Sequence, residues 1–278
     1  MTIEIALIYI SQTLERVSDA PRLDAERLLL CVVGKQESSW LYAHSEQELT
    51  EKQKNQMSRL VARRQSGEPL AYILGHQEFY GRDFIVTKDV LIPRSATEDL
   101  IDRALEVIED MTREKKRPLV IADIGTGSGC IVVTLLLESS PVAKAMGDKG
   151  IKNHPPSLKL WGTRELRVVA TDISAAALAV ARRNAERYNV ADTIKFRQGD
   201  MLTPLASNEV DLIVSNPPYV PTEELLKTNT IETRGLKFEP QLALDGGRYG
   251  QKYTDQIKTS GIPAVVEVTG GKIQTLNL

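Results

Sequence analysis

The stretch LVIADIGTGSGCIVVTLLL, residues 119–137, decides the architecture. LVIADIG (119–125) is a short apolar run that ends in Asp123 and Gly125, and the apolar segment 130–138 after it is predicted to be a helix. Between the two, Gly125, Gly127 and Gly129 allow a sharp turn and a close backbone approach to a ligand, at which the next helix aims its free N–H groups. The GxGxG spacing is one residue short of the dinucleotide fingerprint, so a plain tight turn remains the alternative reading. The acid Asp123 suits a cationic or amine-bearing ligand better than a pyrophosphate, because like charges repel.

Downstream the alternation repeats. LRVVATD (166–172) is a second apolar run ending in an acid, and the Ala-rich segment 174–188 follows it. IKFRQGD (194–200) is the third run and VDLIVSNPPY (210–219) carries the fourth. Near-continuous apolar strands alternating with helices imply an α/β fold, with a parallel sheet covered on both faces. Ligands of such sheets bind at the carboxyl ends of the strands, and Asp123, Asp172, Asp200 and Asn216 gather there on one rim. Asp172 stands where an acid would grip the hydroxyls of a ribose, or would cap the helix beginning near Ser174. Asp200 would bound an adenine pocket or be an exposed turn acid.

Asn216-Pro217-Pro218-Tyr219 is the sharpest signal in the chain. Two prolines fix the backbone and remove two donors, leaving carbonyls to accept. The Asn216 side chain and the Pro217 carbonyl can together accept both hydrogens of a planar –NH2 group, orienting its nitrogen, while Tyr219 packs against the flat group. A planar amide or ring amine is a poor nucleophile, so alignment and exclusion of water carry much of the work. A structural turn is the simpler alternative.

Upstream of the sheet the pattern is helical. Ile3, Leu7, Ile10, Leu14 and Val17 share one helix face. A second helix follows Pro21 and ends near Gly34, and a third follows Thr50 and ends near Gly67. Phe79, Phe84, Val86 and Ile92 among Gly75, Gly81 and Asp89 predict a β-hairpin, and Leu100, Ile101, Ala104, Leu105 and Ile108 return to helical spacing. The charged run Arg113 to Pro118 is expected to be a solvated loop. The predicted organisation is therefore a helical bundle at 1–70, a β-hairpin linker at 71–95 and the sheet domain at 96–278, with an insertion at 139–165.

Composition excludes several classes. The chain has 278 residues, 42% hydrophobic and 26% charged, which is ordinary globular usage. Lys plus Arg is 35 against 37 Asp plus Glu, a formal charge of −2, so nucleic-acid binding would need a local patch. Cys31 and Cys130 are too few for a disulfide scaffold, and no apolar run reaches the roughly 20 residues of a membrane helix. His44, His76 and His154 have no ligand spacing, so no metal is expected. These features and the lack of a signal-peptide pattern predict a cytoplasmic protein, with an organellar location left open for a host that has organelles.

With these motifs in hand, the chain resembles the class I S-adenosylmethionine-dependent methyltransferases that act on a planar nitrogen. It is most similar to the HemK/PrmC release-factor glutamine methyltransferases. PRLDAERLLL (21–30), GEPLAYILGHQEFYGRDF (67–84), VLIPR (90–94), VSNPPYV (214–220) and EPQLALDGG (239–247) carry the likeness, which covers roughly residues 20–137 and 166–256. The NPPY motif is shared with DNA and RNA amine methyltransferases, whereas the GEPLAYILG–EFYG and EP–ALDGG blocks are more specific.

The resemblance implies a Rossmann-like sheet with S-adenosylmethionine as cofactor. Gly125, Thr126, Gly127, Ser128 and Gly129 would cradle its methionine part, Asp172 would hold its ribose, and Met201, after Asp200, would lie near its adenine. Asn216, Pro217, Pro218 and Tyr219 would bind the glutamine side chain, with Asn216 touching both cofactor and substrate. The helical domain would dock the release factor, whose GGQ loop supplies that glutamine. A nucleic-acid adenine or cytosine amino-methyltransferase is the rival enzyme, and a truncated chain that binds without turnover is the rival non-enzyme.

Three differences set further expectations. Family members carry Pro-Glu-Thr-Glu after IPR, where this chain has Ser95-Ala96-Thr97-Glu98, so the strap near the cofactor is expected to be looser. Asp172 lies more than twice the roughly 20 residues beyond the glycine loop that the fingerprint spacing allows. The excess falls in 139–165, where Lys144, Lys149, Lys152, Lys159 and Arg164 outweigh Asp148 and Glu165. A solvated loop is the simpler reading there, and the basic excess also fits a nucleic-acid contact. After Gly247 only AVVEV (264–268) reads as a strand before a polar tail, so the sheet is expected to lack a C-terminal strand and to expose an apolar edge.

Overall fold

A computed structural model describes residues 1–115, 117–139, 159–160, 164–206, 209–225, 227 and 235–278. The chain forms two compact units, one of Met1–Gly75 joined by the short helical turn Gly235–Phe238, the other within His76–Lys227 and Glu239–Leu278.

The first unit is helical because its starts and stops are encoded locally. Helix α1 (Ile3–Leu14) opens on Thr2, whose side chain accepts the Ile5 N–H, and buries Ile3, Leu7, Ile10 and Leu14 on one face. Helix α2 (Pro21–Val33) has Pro at its first position and stops at Gly34, whose φ of 69° lies in the left-handed region that ends helices. A short α3 (Ser38–Ala43) precedes α4 (Glu51–Gln65), which begins with a reciprocal capping box between Thr50 and Gln53. The single-turn α5 (Leu70–Leu74) lies where the GEPLAYILG block had no predicted helix, and Gly75 ends it at φ 82°. Leu28, Leu29, Leu41, Met57 and Ile73 join the α1 face in one apolar core. At its edge Arg64 pairs with the buried Asp24 at 2.7 Å and Arg63 makes two hydrogen bonds to Glu68, so acids of two family blocks are held by the end of α4.

The second unit begins with the hairpin β1 (His76–Phe79) and β2 (Arg82–Ile85). Tyr80 and Gly81 make its two-residue turn at φ 52° and 70°, the left-handed pair that two-residue hairpins favour. Tyr80 is not a glycine, and its backbone is held there because its N–H donates to Glu98 at 2.8 Å. Glu98 belongs to α6 (Ala96–Glu114), whose Leu100, Ile101, Ala104 and Ile108 face the core. The charged run expected as a solvated loop instead starts inside α6, and Lys115 and Arg117 both reach the buried Asp211.

Strand β3 (Leu119–Ile124) leads through the glycine turn into α7 (Cys130–Glu138). After β4 (Lys159–Leu160) come β5 (Arg164–Asp172), α8 (Ala175–Arg187), β6 (Ile194–Gln198) and β7 (Leu212–Ser215). The short α9 (Thr222–Leu225) and α10 (Lys252–Thr259) precede β8 (Ala264–Val268) and β9 (Lys272–Leu276). In the sheet, β3 lies between β5 and β7, with β6 beyond β5 and β8 beyond β7, and all these contacts are parallel. This is the Rossmann-like order, and it brings the carboxyl ends of β3, β5, β6 and β7 to one rim.

One expectation changes here. The residues read as a polar tail form β9, antiparallel to β8 through Gly270 and Gly271, so β9 pairs the β8 edge that was expected to be open. Its alternation places Ile273 and Leu276 against the two cores, a pattern that the polar residues between them obscured. Of the 139–165 insertion, only Ser139, β4 and the opening of β5 are described, with Lys159 opposite Glu165; the remainder of that segment, and so the suggested basic contact, lies outside the described residues.

Candidate functional site

The glycine turn is built on backbone geometry that side chains avoid. Gly125, Gly127 and Gly129 have φ values of 70°, 53° and 79°, and the chain passes through them from β3 into α7. The Thr126 N–H donates to the Thr171 carbonyl at 2.9 Å, and the Gly127 N–H donates to Asp172 Oδ2 at 2.9 Å. Asp172 Oδ1 accepts the Ser174 N–H at 2.9 Å, and its carbonyl accepts the Gly199 N–H at 3.0 Å. One residue thus ties together the ends of β3, β5 and β6. The cap of α8 is Ser174, whose side chain accepts from Ala177.

A cavity of about 280 Å³ lies over this rim. Gly125 to Ser128 and Asp172 form its floor, Asp200 and Met201 one wall, and Asn216 with Pro218 another. The strap from Lys88 to Arg94 and the segment around Leu242 close it further. A Cβ at Gly125 would meet nothing within 4 Å and one at Gly127 only its own turn at 3.9 Å, so bare backbone faces open space there. At Gly129 a Cβ would come within 3.1 Å of Ala181, so the third glycine serves helix packing instead.

Asp123 lies beneath the floor rather than on it. It is 1% exposed; Oδ2 accepts the Thr126 hydroxyl at 2.6 Å, while the buried Oδ1 has no hydrogen-bond partner within standard geometry among the described residues. Burial and the charge of Asp172 push its carboxyl up to about 7 against the Thr126 hydrogen bond. Burial also raises Asp172, against the N–H groups of Ser174 and Gly127. The floor therefore offers the Asp172 carboxylate in low-polarity surroundings, an acceptor suited to hydroxyls. Among the described residues no cluster of His, Cys, Asp or Glu could hold a metal ion.

The NPPY segment leaves β7 after Ser215, whose hydroxyl donates to the Ile124 carbonyl at 2.7 Å and fixes the strand end beside the glycine turn. Asn216 faces the cavity, and its Nδ2 donates to Thr97 Oγ1 at 3.0 Å. Pro217 is buried and does not line the cavity, and Tyr219 is turned the other way, its hydroxyl donating to Glu267 at 2.8 Å. Burial and the Glu267 carboxylate push the Tyr219 phenol above its ordinary value, which keeps it a donor.

Val220 pairs with the ALDGG block: its N–H donates to Leu244 at 2.9 Å, and its carbonyl accepts from Gly246 at 2.8 Å. Glu239, which opens that block, accepts the Ile92 N–H at 3.1 Å and pairs with Arg94. The strap expected to be loosened by Ser95 and Ala96 is thus anchored through Glu239.

The rim gathers the glycine turn, Asp172, Asp200, Met201, Asn216 and Pro218, and leaves Asp123, Gly129, Pro217 and Tyr219 outside the cavity lining. Sequence reasoning missed Thr97, Glu267 and Asn184. Asn184 is fully buried on α8, exchanges hydrogen bonds with both backbone groups of Ile85, and donates to the Ser128 carbonyl at 2.8 Å. A charge inside AVVEV and an Asn inside an Ala-rich helix were the available signals.

The PrmC N-terminal domain model matches residues 6–75, and an RMKL-like methyltransferase domain model matches residues 113–226. A release factor glutamine methyltransferase of Koribacter versatilis is 38% identical over 83% of this chain and 70% of its own length. Proteins of the same name from Nitratidesulfovibrio vulgaris and Coxiella burnetii are 38% and 36% identical over 92% and 90% of the chain, and over 76% and 77% of their own lengths. With both the helical unit and the glycine-turn sheet matched over that span, the chain belongs to the release factor glutamine methyltransferase family.

Proposed function

We propose that this protein transfers a methyl group from S-adenosylmethionine to the side-chain amide nitrogen of the GGQ glutamine in a peptide chain release factor. The observation that carries the reading is the position of Asn216 on the wall of the cavity whose floor is the glycine turn and Asp172. Bound there, S-adenosylmethionine supplies an electrophilic methyl carbon on a positively charged sulfur that leaves as a neutral thioether.

The residues supply binding and alignment. Gly125 to Ser128 let the methionine part lie against bare backbone, Asp172 accepts from the ribose hydroxyls, and Asp200 and Met201 flank the adenine. The side-chain oxygen of Asn216 and the carbonyl of Pro217 accept the two hydrogens of the substrate amide, with Pro218 and Tyr219 shaping the segment around it. Holding both N–H bonds would fix the plane of the amide and present its nitrogen to the methyl group that S-adenosylmethionine would supply. As the new C–N bond forms, the nitrogen gives up one proton, which passes to solvent. The helical unit docks the release factor, and the protein works in the cytoplasm. Among the described residues no helix is long and apolar enough to cross a membrane.

The test pairs binding with transfer. The wild-type chain is expected to bind S-adenosylmethionine by calorimetry and to methylate a release factor but not an adenine-containing oligonucleotide. Asn216→Ala is expected to bind the donor within severalfold of wild type and to lose transfer by about 100-fold or more. Methylation of the oligonucleotide in place of the release factor would identify a nucleic-acid enzyme.

A further inference from the structure

The strand β8 carries a charge where its neighbours are apolar. Glu267 is 0% exposed between Val266 and Val268, and a carboxylate in such a place is costly unless both oxygens are satisfied. One oxygen accepts the Thr97 hydroxyl at 2.7 Å and the other accepts the Tyr219 hydroxyl at 2.8 Å. Thr97, 2% exposed in the first turn of α6, also accepts from Asn216 Nδ2 at 3.0 Å.

This chain of bonds has a direction. A carboxylate only accepts, so the single hydroxyl hydrogen of Thr97 is committed to Glu267. Thr97 Oγ1 is left as an acceptor, and the donor it meets among the described residues is Asn216 Nδ2. The two ends of an Asn amide are nearly alike in shape, and their partners decide which end points where. We infer that Thr97 and Glu267 are positioning residues that fix the Asn216 amide with its oxygen, not its nitrogen, toward the cavity.

The inference rests on the function proposed above and deepens it. A substrate –NH2 needs acceptors, and a reversed Asn216 would present N–H against N–H. Tyr219 holds the second oxygen of Glu267, which assigns this tyrosine to the same device. The expensive buried acid is thereby tied to the Asn216 amide on the cavity wall.

The test uses the full-length chain with Thr97→Val, Thr97→Ser and Glu267→Gln. Thr97→Val keeps the shape and removes the hydroxyl, and is expected to lower kcat about 30-fold while KM for S-adenosylmethionine stays within about twofold. Thr97→Ser restores the hydroxyl and is expected to return kcat to within about threefold of wild type. Glu267→Gln faces two hydroxyl donors with one oxygen and one –NH2, and is expected to lower kcat with the same KM pattern.

A second readout does not depend on turnover. The Asn216 side-chain amide protons, assigned in nitrogen-15 spectra by their loss in Asn216→Asp, are expected to exchange with solvent at least about tenfold faster in Thr97→Val. Wild-type kcat and exchange in Thr97→Val would overturn the inference, as would Thr97→Ser falling as far as Thr97→Val. A wild-type chain that protects these protons through Thr97 but transfers no methyl to a release factor would overturn the proposed function and leave the polarity of Asn216 standing.

Discussion

A Cβ on Gly246 would stand 2.6 Å from the Tyr219 Cα, so the ALDGG turn and the NPPY segment meet backbone to backbone. The same added atom would lie 2.8 Å from the Gly250 Cα and from the Pro218 carbonyl oxygen. These neighbours are main-chain atoms, which cannot rotate aside as the end of a side chain can. The EPQLALDGG block is thus the mould against which the NPPY segment is shaped, which explains its place beside NPPY in one family pattern.

Gly246→Ala is accordingly expected to destabilise the protein by roughly 1–3 kcal/mol through overpacking. Because the displaced atoms belong to Pro218 and Tyr219, methyl transfer should fall further than the loss of folded protein explains. Thermal unfolding and transfer measured on the same samples check this. An alanine variant with wild-type Tm and rate would show that the two segments separate freely.

Asn184 is expected to be the most sensitive position on α8. Its side chain holds Ile85 through two hydrogen bonds, at 2.7 and 2.9 Å, and the Ser128 carbonyl at 2.8 Å. Alanine would leave buried backbone groups of β2 and of the glycine turn without these partners. A loss of about 2–4 kcal/mol in urea unfolding is expected, larger than for an ordinary surface change on the helix. A loss below about 0.5 kcal/mol would mean that the freed groups find water.

Asp172→Ala tests the floor. It removes the acceptors of the Gly127 and Ser174 N–H groups together with the carboxylate that faces the cavity. S-adenosylmethionine affinity is expected to fall by at least about 30-fold in calorimetry, with circular dichroism unchanged. Retained affinity would remove Asp172 from the binding site.

The sheet and its rim were legible because they rest on local signals. Glycines at left-handed positions, acids at strand ends and a proline pair after β7 can all be read along the chain. The short helices α3 and α5 were not, since each is about a turn long and takes its stability from packing rather than from periodicity. The tail was misread because β9 is an edge strand, with apolar residues only at Ile273 and Leu276 and its pairing supplied by β8. Thr97, Asn184 and Glu267 act on partners far away in sequence, as in the 170-residue separation of Thr97 from Glu267, so no spacing rule could pair them. Tyr219 shows the limit of a motif: NPPY fixed its position, but the direction of its hydroxyl depends on a buried acid in β8.

Two aspartates should give the stability–pH curve opposite slopes in separate windows. Asp123 has a folded value of about 7 against 3.8 ordinarily, so the folded state holds a proton that the unfolded chain has released between them. Stability therefore falls as pH rises from about 4 to about 7. Asp211 behaves in the reverse sense. Burial alone would raise it, but hydrogen bonds from Arg117, Lys115 and the Val120 N–H hold it down to about 2. Its contribution is present above 3.8 and is lost as pH falls toward about 2. Urea unfolding of ligand-free protein across this range should show Asp123→Asn flattening the upper window only, with the contribution from Asp172 common to both proteins. Asp211→Asn should be destabilised near neutral pH and draw closer to wild type as pH falls toward about 2, where the wild-type carboxylate is itself becoming protonated. An Asp123→Asn curve parallel to wild type between pH 4 and 7 would mean that this carboxylate is solvated in the folded protein, and that the floor of the cavity is wetter than its burial implies.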